Sequence, residues 1–154
     1  MSNHLRTAGK MARFSVDRST QNAAVIVNPV GTEVAVGWNA PPHPSVAIRH
    51  ERPEKYIYTE HAERMAIFNA ARMGAATDDC TMYAVWASCH DCARAIIASG
   101  IARVVTHAHH RESPSPRWDL SHADAMLAEA GVELVVLDTV LDVTLRFDGR
   151  QVAL

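Results

Sequence analysis

Apolar and polar positions follow two different periods along this chain, and the switches between them mark its elements. From Asn3 to Phe14, Leu5, Ala8, Met11 and Ala12 recur at helical spacing, which predicts an amphipathic helix. Ala23–Val27 is a short apolar run rich in β-branched residues. Pro29-Val30-Gly31 supplies a turn and Glu33–Trp38 a second strand, so the pair reads as a hairpin. Helical spacing returns over Ala62–Met73 and stops at Gly74. Thr81–Trp86 then predicts a strand, Asp91–Ser99 a helix ended by Gly100, and Ala102–Thr106 a strand. Leu120–Ala130 predicts a helix closed by Gly131, and Val132–Leu137 a strand.

Two stretches read as loops: Asn39–Thr59, with four prolines, and the Pro/Ser-rich run His107–Arg117. Long ordered loops in compact domains are often functional. Strand and helix alternate from Thr81 onward, and crossover helices of this length connect parallel strands right-handedly. An antiparallel hairpin joined to parallel strands gives a mixed sheet with helices on its faces. In the tail, Leu141, Val143, Leu145 and Phe147 alternate with polar residues, and Asp148-Gly149 suits a hairpin turn. Residues 139–154 are therefore expected to add an edge strand, to form a hairpin, or to pack on another subunit.

The length of 154 residues fits one domain, 1–154. Apolar residues at 48% and charged residues at 21% describe a globular chain with a real core. The formal charge of −2 lacks the basic excess of a general nucleic-acid or membrane-surface binder, so no nucleic acid polymer is expected as partner. No apolar run suggests a membrane span and no secretory leader is evident, so a cytoplasmic location is expected. Three cysteines are too few for a disulfide scaffold, and two of them form C-x-x-C, which favours a reducing compartment and free thiols.

Two short segments carry candidate chemistry. His61-Ala62-Glu63 opens one predicted helix, and Cys89-His90-Asp91-Cys92 opens the next. One imidazole and two thiolates are good ligands for tetrahedral Zn2+, leaving a fourth position for water. The start of a helix also favours a thiolate through its exposed N–H groups and dipole. Glu63, two residues after the candidate ligand, can stand beside the metal-activated water without ligating the metal and carry its proton elsewhere. That arrangement suits attack of hydroxide on an electron-poor carbon bearing an amine, with Glu63 protonating the departing ammonia. Alone, C-x-x-C reads equally as a redox pair, a zinc site or a structural half-site, and H-A-E says less. Together, each opening a helix, they match the H-x-E plus C-x-x-C pattern of zinc deaminases.

The sequence resembles the cytidine/deoxycytidylate deaminase family, and within it the deoxycytidylate deaminase-like branch, over roughly Ser19 to Asp138. The residues that carry the resemblance are Ser19-Thr20-Gln21, Gly37-Trp38-Asn39 with Pro41, and Lys55-Tyr56-Ile57-Tyr58 leading into His61-Ala62-Glu63. They continue through Cys89-His90-Asp91-Cys92-Ala93 and Ile96-Ile97-Ala98-Ser99-Gly100-Ile101. The resemblance implies an α/β fold: a three-layer α/β/α sandwich around a five-stranded mixed sheet, with the fifth strand parallel to the fourth. It implies His61, Cys89 and Cys92 as zinc ligands, Glu63 as proton shuttle, Asn39 as a substrate contact, and assembly into a homo-oligomer. Ser88 stands where the family usually has proline, Met65 stands where many relatives have asparagine, and the Cys/His-rich insert of some relatives is absent.

The remaining candidates flank this centre. Asn39, Ala62, Trp86, Ser88 and His109 are the expected substrate contacts. Trp86 serves equally as a core aromatic or as a wall that stacks on a flat ring. His107, His109, His110 and Arg111 cluster where ligands of open α/β sheets gather; each reads first as part of a solvated loop, with binding of a nucleotide phosphate or selection of a base edge as the alternative. Arg49, His50, Arg52 and Lys55 form a second basic group, diluted by Glu51 and Glu54 and read as a salt-bridged surface, with phosphate binding as the alternative. Cys80 reads as a small buried hydrophobe, His90 as exposed or standing just behind the metal ligands, and Trp118 as packing locally or at an interface. The leading expectation is hydrolytic deamination of an aminopyrimidine nucleotide, dCMP to dUMP. Alternatives are a free base, nucleoside or other amino-heterocycle as substrate, a tRNA-editing role that the mild negative charge disfavours, a zinc-binding module without catalysis, and a dithiol redox protein.

Overall fold

The computed structural model describes residues 1–112 and 119–154. Its elements are α1 (Ser2–Ala12), β1 (Ala23–Val27), β2 (Glu33–Trp38), α2 (Glu54–Tyr58), α3 (Ala62–Met73), β3 (Thr81–Ala84), α4 (His90–Ala98), β4 (Arg103–His107), α5 (His109–Glu112), α6 (Ser121–Glu129), β5 (Glu133–Leu137), β6 (Thr144–Phe147) and β7 (Arg150–Ala153). The first five strands form one sheet in the order β2-β1-β3-β4-β5. β1 is antiparallel to both β2 and β3, whereas β3, β4 and β5 run parallel. The mixed sheet, and a fifth strand parallel to the fourth, are as the alternation of elements predicts.

The core explains the layers. β1 lies inside the sheet and is buried along its whole length. Ala24, Ile26, Met82, Ala84 and Val104 on one face meet Ala66 and Ala70 of α3, Ile96 of α4 and Leu127 of α6. On the other face, Val25, Tyr83, Val85 and Val105 pack under Leu5, Ala8 and Ala12 of α1 together with Leu141, Leu145 and Phe147 of the tail. Burying each such leucine or phenylalanine contributes about 1.5–3 kcal/mol relative to leaving it exposed. The third layer is thus shared between α1 and the C-terminal hairpin.

One close approach sets the position of the functional residues. α3 presents alanines at 62, 66 and 70 toward the sheet, and β2 faces them with Gly37. A Cβ built on Gly37 would stand 2.2 Å from the Ala66 amide nitrogen and 2.7 Å from the Ala62 carbonyl oxygen. Only a residue without a side chain lets the start of α3 lie this near the strand.

The structure corrects several sequence expectations. The loop Asn39–Thr59 contains the short helix α2, and the run beginning at His107 contains α5. Both helices are too short for a period to stand out. The third strand ends at Ala84, although Val85 still bonds Ala23 and His107 through its main chain. Of the readings for the tail, the hairpin holds and the edge strand does not: β6 and β7 form a separate two-stranded sheet, turning at Asp148-Gly149 as expected. Its alternating apolar residues pack within the chain, against α1 and the sheet. Residues 113–117 of the expected Pro/Ser-rich loop, and Trp118, lie outside the described residues. Among the described residues, no helix is long and apolar enough to cross a membrane.

Candidate active site

Two helix starts converge at the C-terminal end of β3. His61 and Cys89 are the N-cap residues of α3 and α4, both with extended backbone, and Cys92 lies in the first turn of α4. Nδ1 of His61 stands 3.5 Å from Sγ of Cys89 and 3.6 Å from Sγ of Cys92. Tetrahedral zinc, with Zn–N of about 2.0–2.1 Å and Zn–S of about 2.3 Å, separates such donors by about 3.6 Å. The donor set therefore fits zinc in both chemistry and spacing, and these three residues are the His/Cys/Cys group placed for a metal. All three cysteines are free thiols rather than disulfides. The Cys92 hydrogen bond, opposed by burial and aided by His61, draws the Cys89 thiol down to about 3, and the same bond pushes Cys92 up. Nη1 of Arg64 lies 3.9 Å from Cys92 Sγ, adding positive charge beside the sulfurs.

Glu63 points into the same cavity and is 2% exposed. Burial raises its affinity for a proton; the nearby His61 opposes this and the Cys89 charge reinforces it. Asn22 Nδ2 lies 3.4 Å from Glu63 Oε2, while Asn22 Oδ1 accepts from the Trp86 amide at 3.3 Å. Asn22 thereby ties the carboxylate to the strand end that carries the cysteines. Nothing in the sequence singled out Asn22.

The cavity wall contains some of the expected substrate contacts and not others. Asn39, Ala62 and Trp86 line it; Ser88 and His109 do not, and His110 does. The Asn39 amide is engaged by the chain itself: Nδ2 donates to the Thr20 carbonyl at 2.8 Å and to Asp17 at 3.3 Å, and Oδ1 accepts from the Asn22 amide at 2.7 Å. Asn39 therefore fixes the segment that carries Asn22. Lys55 is a correction to the expected salt-bridged surface: it is buried, and its Nζ lies 2.8 Å from Asp17 in the cavity wall. Removing one partner of such a buried pair costs about 3–5 kcal/mol because the other charge is stranded. Cys80 is buried and His90 exposed, as expected.

Trp86 is buried like a core aromatic and also lines the cavity. It is 2% exposed, its Nε1 donates to the Gln21 carbonyl at 2.7 Å, and its ring packs 4.6 Å from that of Phe147. Phe147 reaches the cavity because the hairpin is bound to residues 19–21: the Gln21 amide donates to the Arg146 carbonyl, and the Gly149 amide to the Ser19 carbonyl. The alternation in the tail signalled burial of Phe147 but not its presence at this site.

His110 is held neutral. Burial first, then the charges of Arg111 and His109, lower its imidazolium from the ordinary 6.5 to about 4. Between those values the unfolded chain takes a proton that the folded chain refuses, so stability rises with pH across the window. The contribution is fully present above 6.5 and lost as the pH falls through 4. At about 1.4 kcal/mol per pH unit, the loss is roughly 3 kcal/mol. Urea unfolding of the wild type and of His110→Phe across this range is expected to show a shallower acid slope in the variant; equal slopes would refute the assignment.

The comparisons with known proteins agree with this geometry. The family model described as "Cytidine and deoxycytidylate deaminase zinc-binding region" matches residues 1–108. A protein of Aliivibrio fischeri described as "Uncharacterized deaminase in luxG 3'region" is 35% identical over 128 residues, covering 80% of this chain and 84% of that protein. The deoxycytidylate deaminase of Mus musculus is 33% identical over 102 residues, covering 61% of this chain, and the match spans 56% of the mouse enzyme. The fold is similar to the crystal structure of dCMP deaminase from the cyanophage S-TIM5 in complex with dCMP and dUMP, with a TM-score of 0.72, 20% identity and coverage of 88% of this chain and 94% of that one. The His/Cys/Cys group, the carboxylate beside it and the match over most of the length lead to one assignment: this chain belongs to the zinc-dependent cytidine and deoxycytidylate deaminases, a family of hydrolytic enzymes.

Proposed function

We propose that this chain, working as one domain, hydrolytically deaminates an aminopyrimidine nucleotide, with dCMP to dUMP as the leading reaction. The observation that carries the reading is the convergence of His61, Cys89 and Cys92 beside the buried carboxyl group of Glu63 in one cavity. The three residues would hold zinc, which supplies a Lewis acid able to make water a nucleophile near neutral pH. Glu63 takes a proton onto its carboxylate and delivers it to the exocyclic amine. One water is consumed, a C–O bond forms, the C–N bond breaks, and ammonia leaves. Burial favours the protonated form of Glu63, which suits a group that must hold a proton between two steps. Trp86 and Phe147 form an aromatic wall for the flat ring.

The nucleotide reading draws support from relatives named deoxycytidylate deaminase. It also draws support from Arg52, which lines both the active-site cavity and an adjoining groove with Arg18, Arg49 and His50. Arg18, Arg49, Arg52 and Lys55 outnumber Asp17, Glu51 and Asp148 in that groove, which suits a phosphate dianion. Ammonia release from dCMP, deoxycytidine, cytidine, cytosine and guanine, assayed side by side on zinc-loaded protein, tests it. dCMP is expected to have the highest kcat/KM. Arg52→Ala is expected to raise KM for dCMP about tenfold, with deoxycytidine unaffected. Full activity without a phosphate would favour the second reading, a free base or other amino-heterocycle, which the aromatic enclosure by Trp86 and Phe147 also accommodates. Assembly into a homo-oligomer remains part of this proposal, supported by the exposed Phe68 and Met73 on α3 and Ile57 on α2.

A further inference from the structure

We propose that His110 is a specificity-determining residue of this cavity: its imidazole hydrogen-bonds the polar edge of the bound heterocycle, with Phe147 of the C-terminal hairpin as its backstop. The inference rests on the deaminase reading and adds a substrate contact that the motif residues do not supply.

His110 lines the same cavity as His61, Glu63 and Trp86, yet it is only 3% exposed. Neither Nδ1 nor Nε2 has a hydrogen-bond partner among the described residues. Its neighbour in sequence shows the contrast. His107 is buried too, but its Nε2 lies 2.9 Å from the Thr139 carbonyl, and its Nδ1 accepts from the His109 amide at 3.1 Å. Within four residues, the fold fully satisfies one buried imidazole and leaves another with both nitrogens unpaired among the described residues. Buried polar atoms are ordinarily paired, and the exceptions call for a reason such as a ligand.

The surroundings identify what that ligand is. The His110 ring meets Phe147 edge-on, with centroids 4.8 Å apart and planes at 64°. Phe147 in turn packs on Trp86 at 4.6 Å. The three rings make one aromatic corner, in which a flat heterocycle can lie against apolar surface. Burial and the charges of Arg111 and His109 keep the imidazole uncharged at neutral pH. It then carries one N–H donor and one lone pair. Such a group pairs with a carbonyl oxygen or ring nitrogen rather than with a phosphate, whose cationic partners Arg52 and Arg49 come from another part of the chain. A site built to hydrogen-bond a substrate discriminates strongly against analogues lacking the partner atom, because its own buried polar group is then left unpaired.

The test uses the zinc-loaded full chain with three variants. His110→Phe keeps the ring packing and removes both nitrogens, His110→Asn restores a donor and an acceptor, and Glu63→Gln is the control for catalysis. In His110→Phe, KM for the preferred panel substrate and the inhibition constant of its deaminated product are expected to rise about tenfold, with kcat changed far less. His110→Asn should recover most of the loss. In ¹⁵N-histidine-labelled wild type, the His110 ring nitrogens should shift when the product saturates the site, a signal that packing alone does not produce and that needs no variant to fold. Unchanged ring-nitrogen shifts on saturation, or a folded His110→Phe with KM within about twofold of wild type, would overturn the His110 role and leave the deaminase reading intact. A wild type that releases no ammonia from any panel compound would instead overturn the deaminase reading, and the His110 role with it.

Discussion

Glu63→Gln is expected to keep its metal and lose its turnover. The substitution is close to isosteric and touches none of the three donors grouped for the metal, which are His61, Cys89 and Cys92. It removes the buried carboxyl group that stands beside this metal group in the cavity. General acid–base groups contribute about 10²–10⁴-fold, and the loss should lie at or beyond the upper end because in the proposed reaction Glu63 serves both the attack and the departure of ammonia. Metal content should stay at one zinc per chain. Thermal stability should hold or rise, since a neutral amide replaces a carboxyl group whose charged form is penalised by burial. Metal analysis, a melting curve and the ammonia assay on one preparation check all three. A variant that stays active would sink the mechanism, and one that loses zinc would make Glu63 a ligand.

Gly37→Ala is expected to damage the protein as a whole, though it adds a single methyl group outside the cavity. The new carbon would stand 2.2 Å from the Ala66 amide nitrogen and 2.7 Å from both the Ala62 carbonyl oxygen and the Met65 carbonyl carbon. All three are backbone atoms and cannot rotate away, so β2 and α3 must separate. Overpacking costs about 1–3 kcal/mol where side chains can yield, and a backbone contact of this kind belongs at or above the top of that range. The displaced element is the one that begins with His61 and Glu63, so zinc affinity and kcat should fall along with stability. Urea unfolding and chelator competition measure the two effects. A variant with wild-type stability would mean that α3 does not need this approach. The same geometry gives a physical reason for the glycine in Gly37-Trp38-Asn39.

The order of strands and helices was legible because each long element has its own period and a glycine or polar stop. The metal-binding triplet was legible for a different reason. Ligand chemistry restricts the residue types, and a helix start places Cys89 and Cys92 on one side of the first turn. The short helices α2 and α5 escaped because one turn of helix in a polar loop leaves no periodic signal. Asn22 escaped because an asparagine before a strand resembles any other, and its contact with Glu63 joins positions 41 residues apart. Lys55 was read as surface from its charged neighbours. Its partner Asp17 comes from the far side of the hairpin, and only their meeting makes burial tolerable. For the tail, the alternation predicted a buried face and the Asp-Gly pair predicted the turn, but neither stated what the face would cover.

By itself, the sequence determined the mixed sheet, the His/Cys/Cys group placed for a metal and the carboxyl group beside it, because these depend on local period and on the chemistry of individual side chains. Only the tertiary structure decided which residues line the cavity. It seated Phe147 beside Trp86, turned His110 rather than His109 into the cavity, and committed Asn39 to holding its own chain. Those outcomes depend on contacts between segments far apart in the sequence, where packing and hydrogen-bond satisfaction select one arrangement among many that the local pattern permits equally.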